Sequence, residues 1–544
     1  MTSNPSVFRL VPAIVLLMVA AIAFAALAVN VAANARISAE EAQALIRSLW
    51  FASGAVQPYS AADAASGAPL YPLLLGLWQR IAGADPFLAR YLSVALAAID
   101  AALLFIICRR LTANTLVAAA AVAILLVTPA AAYFYATASS VAWQALLHLL
   151  AILIIVQSLG RPRLWASVAL AVIVIAMLAT DRNAIVQILF LVPLYVLAIG
   201  RGRVLHGALL ILIPAAAIVA AALVLGDRVL DGLGWRQLAM PLLQSAGIAP
   251  SSGALIAMNT APATGLQTPP NAILTRVIDS LALPYGAALI GGIALFLVVG
   301  RGLRALWAIP LYLIWLAVWR IAGAWLGQDG SLIELGAIDL TAAAFGSAVT
   351  LAMVRKSARD NGLTGSVVGI GGALAIVAAN TFAPALATSA DRQFFPAPML
   401  KFPGSGTEQA DLRKLEEFIG RVSPAGETIL ILHQAPIAPL AATLAGRRIP
   451  PQSAVPIAQS YRAPRAGLAA GAREATLAAI ERSGYWTDET LTRWIDREYD
   501  VILLQDGIRF PGREGTQAAL TAAFEPAGEI SIAGQRLVLY KRKT

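Results

Sequence analysis

Apolar runs long enough to cross a lipid bilayer recur along this sequence, and they leave few folds open to it. A helix needs about 20 apolar residues to span the hydrocarbon core, within a working range of roughly 17–25. We read eleven such segments: 8–29, 87–107, 114–131, 140–158, 164–180, 184–200, 205–225, 280–300, 305–326, 336–354 and 365–384. A segment in lipid must satisfy its own backbone hydrogen bonds, so each is expected to be an α-helix. Composition agrees. Only 13% of the 544 residues are charged, whereas soluble domains carry about 25%.

The loops set the orientation. Arg109-Arg110, Arg161-Pro162-Arg163, Arg201-Gly202-Arg203, Arg301-Gly302-Leu303-Arg304 and Arg355-Lys356 fall on one side if the spans alternate. Excess Lys and Arg mark the cytoplasmic side. The N-terminus is then inside, and segments 30–86, 226–279 and the tail from 385 lie outside. The first run, 8–29, is longer than the 7–15 apolar residues of a signal peptide. It is read as a retained anchor, although Ala32-Ala33-Asn34-Ala35 supplies small residues like those of a cleavage site. The net charge of +10 does not point to nucleic acid, because the arginines form no basic stripe interleaved with aromatics. The single cysteine, Cys108, allows neither a disulfide nor a thiolate metal site within one chain.

Within the first outer segment, Leu45, Ile46, Leu49 and Trp50 recur at helical spacing, as in a helix lying at the membrane surface. Leu70 to Ile81 is apolar but too short to span, and predicts a second interfacial or re-entrant helix. The middle segment, with Pro250, Gly253, Pro262, Gly265 and Pro269-Pro270, reads as a long loop. From about residue 405 the charge becomes ordinary. Residues 428–433 and 499–504 predict buried strands. Residues 408–420, 472–483, 488–498 and 516–524 predict helices, and 530–540 a closing hairpin around Gly534. The expected fold is an α-helical polytopic membrane domain, 1–384, followed by an extracytoplasmic α/β domain, 385–544. Its sheet is expected to be mostly parallel.

Few polar groups interrupt this apolar chain. Glu40 and Glu41 lie just past the first span, where Ser38 can cap a helix and acids in the first turn complement its dipole. A carboxylate there can also serve as a base, its pKa raised by partial desolvation. Asp100 and His148 lie deep in spans, and a buried structural hydrogen bond is the expected role of each. Arg320 either pairs with Asp339 or faces a cavity and binds an anionic lipid head group through its fork. Asp181-Arg182-Asn183 is either a polar turn or a phosphate site at the outer mouth. Arg228, Arg236 and Arg276 flank the middle loop as weaker versions of that site. Asp63 has no clear partner, and His433 ends a buried strand as a structural residue. No cluster has metal-ligand spacing, so the cofactor is unknown and a divalent cation is neither assigned nor ruled out. Nucleophile elbows, Ser/His/Asp arrangements, glycine-rich phosphate loops and internal repeats are not found.

Several of these stretches resemble, in order, the GT-C polytopic glycosyltransferases. The likeness is to bacterial members related to aminoarabinose transferases, protein mannosyltransferases and rhizobial lipopolysaccharide glycosyltransferases. The matching residues are Ser38-Ala39-Glu40-Glu41-Ala42, then Ala68-Pro69-Leu70-Tyr71-Pro72-Leu73-Leu74-Leu75, then Phe87-Leu88-Ala89-Arg90-Tyr91-Leu92-Ser93 leading to Arg109-Arg110-Leu111. Leu178-Ala179-Thr180-Asp181-Arg182-Asn183 is similar to the family's Thr-Arg turn between spans five and six. The likeness covers roughly 8–200, and the remainder only by layout. It implies transfer of a sugar from a polyprenyl-phosphate donor to an envelope glycan, lipid or protein acceptor, outside a bacterial inner membrane. Glu40 and Glu41 become the catalytic candidates, with Glu40 as general base in an inverting displacement. Arg182, Arg320 and Arg228 are candidates for the donor phosphate. The family's first-loop acid is usually Asp, often followed by Glu, and this chain has Glu40 there. The loop between spans three and four, 129–140, supplies no acid. The rival expectation is a non-catalytic membrane protein: a lipid or polysaccharide transporter, or a degenerate member acting as an assembly partner.

Overall fold

The computed structural model describes residues 5–225 and 407–543, less short gaps that include 59–67, 182–183, 454–460 and 507–517, together with Thr260 and Ala261. The four expected spans between 280 and 384, and Arg228, Arg320 and Asp339, lie outside the described residues.

Ten helices form the first part: α1 (Pro5–Asn34), α2 (Ala39–Ser53), α3 (Leu70–Ala82), α4 (Pro86–Thr112), α5 (Thr115–Val127), α6 (Pro129–Tyr135), α7 (Val141–Gln157), α8 (Leu164–Thr180), α9 (Ala184–Ile199) and α10 (Arg203–Leu225). Among described helices, α1, α4 and α10 are long and apolar enough to cross a membrane, while α5, α7 and α8 are shorter apolar helices. The expected span 114–131 is divided, and α6 begins at Pro129. Proline suits a first helical position because its missing N–H would have had no intrahelical partner. Two cores hold the bundle. One joins α1, α4, α5, α6 and α7, and the other joins α7, α8, α9 and α10. Outward residues stay apolar: Ile22 on α1 is 67% exposed, and Val224 on α10 is 81% exposed. Such faces suit lipid. Arg109 and Arg110 end α4, Arg163 precedes α8 and Arg203 starts α10, so these cations gather at one end of the bundle.

At the other end lie α2 and α3. Ser38 caps α2, its Oγ accepting from the Glu41 N–H at 3.1 Å, and Gly54 ends it in the left-handed conformation at φ 71°. The two helices meet at Gly76, where an added Cβ would sit 2.7 Å from the Ser48 carbonyl oxygen. Around that contact the Ser48 hydroxyl donates to Gln79 Oε1 at 2.8 Å. Arg80 covers the end of α2 by donating to the Ala52 carbonyl at 2.6 Å and 3.1 Å.

The C-terminal unit holds α11 (Thr407–Val422), α12 (Ile437–Leu444), α13 (Ala470–Arg482) and α14 (Asp488–Arg493), the last continued by one π-helical turn at Trp494–Glu498. Thr260–Ala261 (β1) pairs with Ala463–Pro464 (β3). The main sheet runs β2 (Ile429–Leu432), β4 (Val501–Gln505), β6 (Gln535–Arg542), β5 (Phe524–Ile532). Only β2 and β4 are parallel. The expected mostly parallel sheet is therefore corrected to a mixed one, because the closing hairpin contributes both remaining strands antiparallel. The hairpin also begins six residues earlier than its alternation suggested, since β5 is exposed along much of its length. One face of the sheet packs with α11 and α12 into the same core as Ile46, Trp50, Tyr71 and Leu75 of α2 and α3. The other face buries Trp486, Trp494 and Leu520.

Replacing Gly76 by Ala forces the two helices apart against backbone. We expect Gly76→Ala to lose about 1–3 kcal/mol, read as a lower unfolding midpoint in detergent.

Candidate active site

Serine, two acids and the helix geometry give Glu40 and Glu41 different surroundings. They occupy adjacent positions in the first turn of α2, about 100° apart around the axis. Ser38-x-x-Glu41 has the spacing of a capping box, in which the acid reaches back to the cap. Here Glu41 turns inward instead and is fully buried. Its Oε1 accepts from Arg90 Nε at 2.7 Å and its Oε2 from Arg90 Nη2 at 2.8 Å. The Ala138 N–H donates to Oε1 at 2.8 Å. Arg90, also fully buried, gives Nη1 to the Ala32 carbonyl at 2.9 Å and lies over the Phe87 ring at 5.3 Å. One ion pair thus ties the end of α1, the start of α2, the start of α4 and the turn before α7.

Tyr71, of the Pro-Leu-Tyr stretch, is 1% exposed and sits beside Ser93 and Glu41, where burial pushes its hydroxyl pKa up. The preceding turn is held by Arg47, which donates to the Ala68 carbonyl at 3.1 Å. The stretch therefore brings Tyr71 beside the ion pair.

Glu40 is exposed. Protein nevertheless surrounds its carboxylate on most sides, and this loss of water, with the charge of Asp181 added, pushes its pKa up to about 7. An accessible carboxylate of near-neutral pKa can take a proton from a hydroxyl. Asp181 ends α8, and its Oδ2 accepts from Gln144 Nε2 at 3.1 Å. One residue back on each helix, Trp143 Nε1 donates to Thr180 Oγ1 at 3.0 Å. Gln144 also donates to Ser140 Oγ at 3.0 Å and accepts from Gln187 at 3.4 Å.

The structure thus brings Glu40, Glu41 and Asp181 to one end of the bundle, opposite the cationic end. Arg182 is outside the described residues, as are Arg228 and Arg320, so the phosphate-binding candidates receive no geometry. Asp100 and His148 are buried within the bundle at 0% and 1% exposure, away from solvent. His433 is buried and its Nε2 lies 3.0 Å from the Ser453 carbonyl. No group of three or more potential metal ligands occurs among the described residues. Sequence reasoning did not single out Gln144, although Ser140, Gln144 and His148 form a polar stripe at four-residue spacing in an otherwise apolar helix.

Arg90→Ala leaves Glu41 buried and unpaired. We expect a loss of about 3–5 kcal/mol and poor recovery of folded protein. Arg90→Lys should rescue little, because an ammonium cannot reproduce the fork; thermal unfolding in detergent reads both.

No protein-family model and no curated protein matches the sequence. Solved structures do. Apo ArnT from Cupriavidus metallidurans aligns with a TM-score of 0.51 and 13% identity over 96% of this chain and 97% of that one. ArnT bound to undecaprenyl phosphate gives 0.48 and 11% over 99% and 98%. AglB, an oligosaccharyltransferase of Archaeoglobus fulgidus in complex with an inhibitory peptide and a dolichol-phosphate, gives 0.47 and 13% over 96% and 74%. The alignment with apo ArnT shows a fold shared along the length of both chains, in line with the resemblance to aminoarabinose transferases in the sequence.

Proposed function

We propose that this protein is a membrane glycosyltransferase, with Glu40 as the general base. The observation that carries the proposal is an accessible carboxylate of near-neutral pKa, fixed at the non-cationic end of a GT-C-type bundle. In the reaction, Glu40 accepts the proton of an acceptor hydroxyl, whose oxygen bonds to the anomeric carbon of the donor sugar. The bond from that carbon to the phosphate oxygen breaks, and the polyprenyl phosphate leaves with the electron pair. Attack opposite the leaving group inverts the anomeric centre. The leaving phosphate gains negative charge, which cations stabilise more in the transition state than before it; Arg182, Arg228 and Arg320 are proposed for that role on sequence grounds.

The polyprenyl-phosphate donor and the envelope glycan, lipid or protein acceptor follow from the sequence resemblance. The gathering of cations at one end supports placing the opposite end, with Glu40, on the outer face of a bacterial inner membrane. We place the boundary of the C-terminal domain near residue 385. Its α12 packs against α2, the helix that carries Glu40, and the domain would cover the outer mouth or bind the acceptor. Glu41, the second catalytic candidate, acts in this scheme by fixing the helix start that presents Glu40.

The base works when ionised. Because its pKa is raised to about 7, kcat/KM should fall tenfold per pH unit below that point and level off above it. Glu40→Gln should reproduce the envelope-glycan profile and lipid-linked sugar accumulation of a deletion strain. An unchanged glycan profile, against a clear loss in the deletion, removes Glu40 from the mechanism.

A further inference from the structure

At the cationic end of the bundle, two arginines flank a buried hydrogen-bonded set. α8 and α10 run parallel, because α9 joins them through two short turns, so both helices start at that end. One turn into α8, Ser167 Oγ lies 2.5 Å from Nδ1 of His206, which is one turn into α10. The same Oγ lies 2.9 Å from the Tyr195 hydroxyl, near the end of α9. Ser167 and Tyr195 are fully buried, and His206 is 6% exposed. These bonds hold the first turns of α8 and α10 side by side. With Nδ1 turned in to Ser167, Nε2 points away from that bond and takes no partner among the described residues.

The same two helix starts carry uncompensated charge. Arg163 and Arg203 are exposed and form no ion pair among the described residues. From 101 to 226 the only acidic residue is Asp181, at the opposite end. Arg163 stands at the N-cap position of α8 and makes no side-chain cap bond, so the first N–H groups of that helix are open. Two adjacent parallel starts add their positive dipole ends to the two guanidinium charges, a setting that favours an anion. Apolar surface begins immediately beside it: Trp165 is 50% and Val204 87% exposed, with Leu164 and Leu205 exposed as well. A ligand that suits both parts has an anionic head and hydrocarbon tails.

We propose that the starts of α8 and α10 form a binding site for an anionic phospholipid of the leaflet at the cationic end. The lipid phosphate lies between Arg163 and Arg203. His206 adds a donor: with Nδ1 accepting from Ser167, the ring proton is on Nε2. The acyl chains run along the apolar residues that follow each arginine. Basic pockets between membrane helices on the cytoplasmic side recognise anionic head groups through this chemistry. The site lies at the end of the bundle opposite Glu40 and does not depend on Glu40 being the base.

The test is native mass spectrometry of the delipidated full-length protein in detergent, titrated with phosphatidylglycerol or with zwitterionic phosphatidylethanolamine. The wild type should bind phosphatidylglycerol more tightly. Arg163→Gln combined with Arg203→Gln should weaken phosphatidylglycerol about twentyfold and leave phosphatidylethanolamine unchanged, while Arg161 and Arg201 keep the two loops cationic. If that protein fails to fold, Arg203→Gln alone should weaken it about fivefold. Arg109→Gln combined with Arg110→Gln removes the same charge from the same end, but at a helix C-terminus, and should keep the wild-type affinity. Equal losses in the two double variants would reduce the effect to general attraction by a cationic surface and overturn the site. An unchanged affinity without Arg163 and Arg203 overturns it as well. Inorganic phosphate is the remaining arm: displacement of phosphatidylglycerol by an equal concentration of it would make this a free-phosphate site and defeat the lipid assignment.

Discussion

The buried pair between Glu41 and Arg90 is the interaction on which the site depends. Three guanidinium nitrogens and both carboxylate oxygens are used, and the partners come from four pieces of chain. Burying two charges costs several kcal/mol per ion, recovered only when geometry is close and the remaining donors are satisfied. Here they are. The pair defines where α2 begins, and that beginning puts Glu40 on the accessible side of the same helical turn. Adjacent acids thus have different surroundings, one buried in the ion pair and the other accessible.

The surroundings of α2 extend this logic. Its far end is closed by Gly54 and by Arg80 of α3, and its apolar face shares a core with α12 and the C-terminal sheet. Movement of the C-terminal unit would therefore be felt at the helix that carries Glu40. Such coupling through a packed core is short-range and mechanical, because a close-packed interior transmits displacement.

Much of the helical architecture was legible because membrane helices announce themselves by length and apolarity. The segment 164–180 is helical over that same range, α3 starts at Leu70 as expected and ends one residue past Ile81, and Leu45, Ile46, Leu49 and Trp50 fall within α2. The break at Pro129 was hidden inside a continuous apolar run. The sheet was misread as mostly parallel, because alternating helices and strands suggest crossovers, whereas the final hairpin sits next to β4 and reverses direction. At the site, sequence could place Glu40 and Glu41 together but could not tell which faces inward. That depends on Arg90, 49 residues away, and on a backbone N–H of Ala138, which leaves no trace in residue identity. Asp181 was visible as part of a polar turn, yet its bond from Gln144 requires α7 and α8 to pack side by side.

In the proposed scheme Glu41 holds the fold while Glu40 performs the chemistry. Its most direct test compares Glu40→Gln and Glu41→Gln in one preparation, measuring the unfolding midpoint in detergent alongside sugar transfer from a polyprenyl-phosphate donor. The account predicts that Glu40→Gln keeps the wild-type midpoint and loses about 10²–10⁴-fold in rate, while Glu41→Gln unfolds at clearly lower temperature. A Glu40→Gln protein that transfers sugar at the wild-type rate would contradict it.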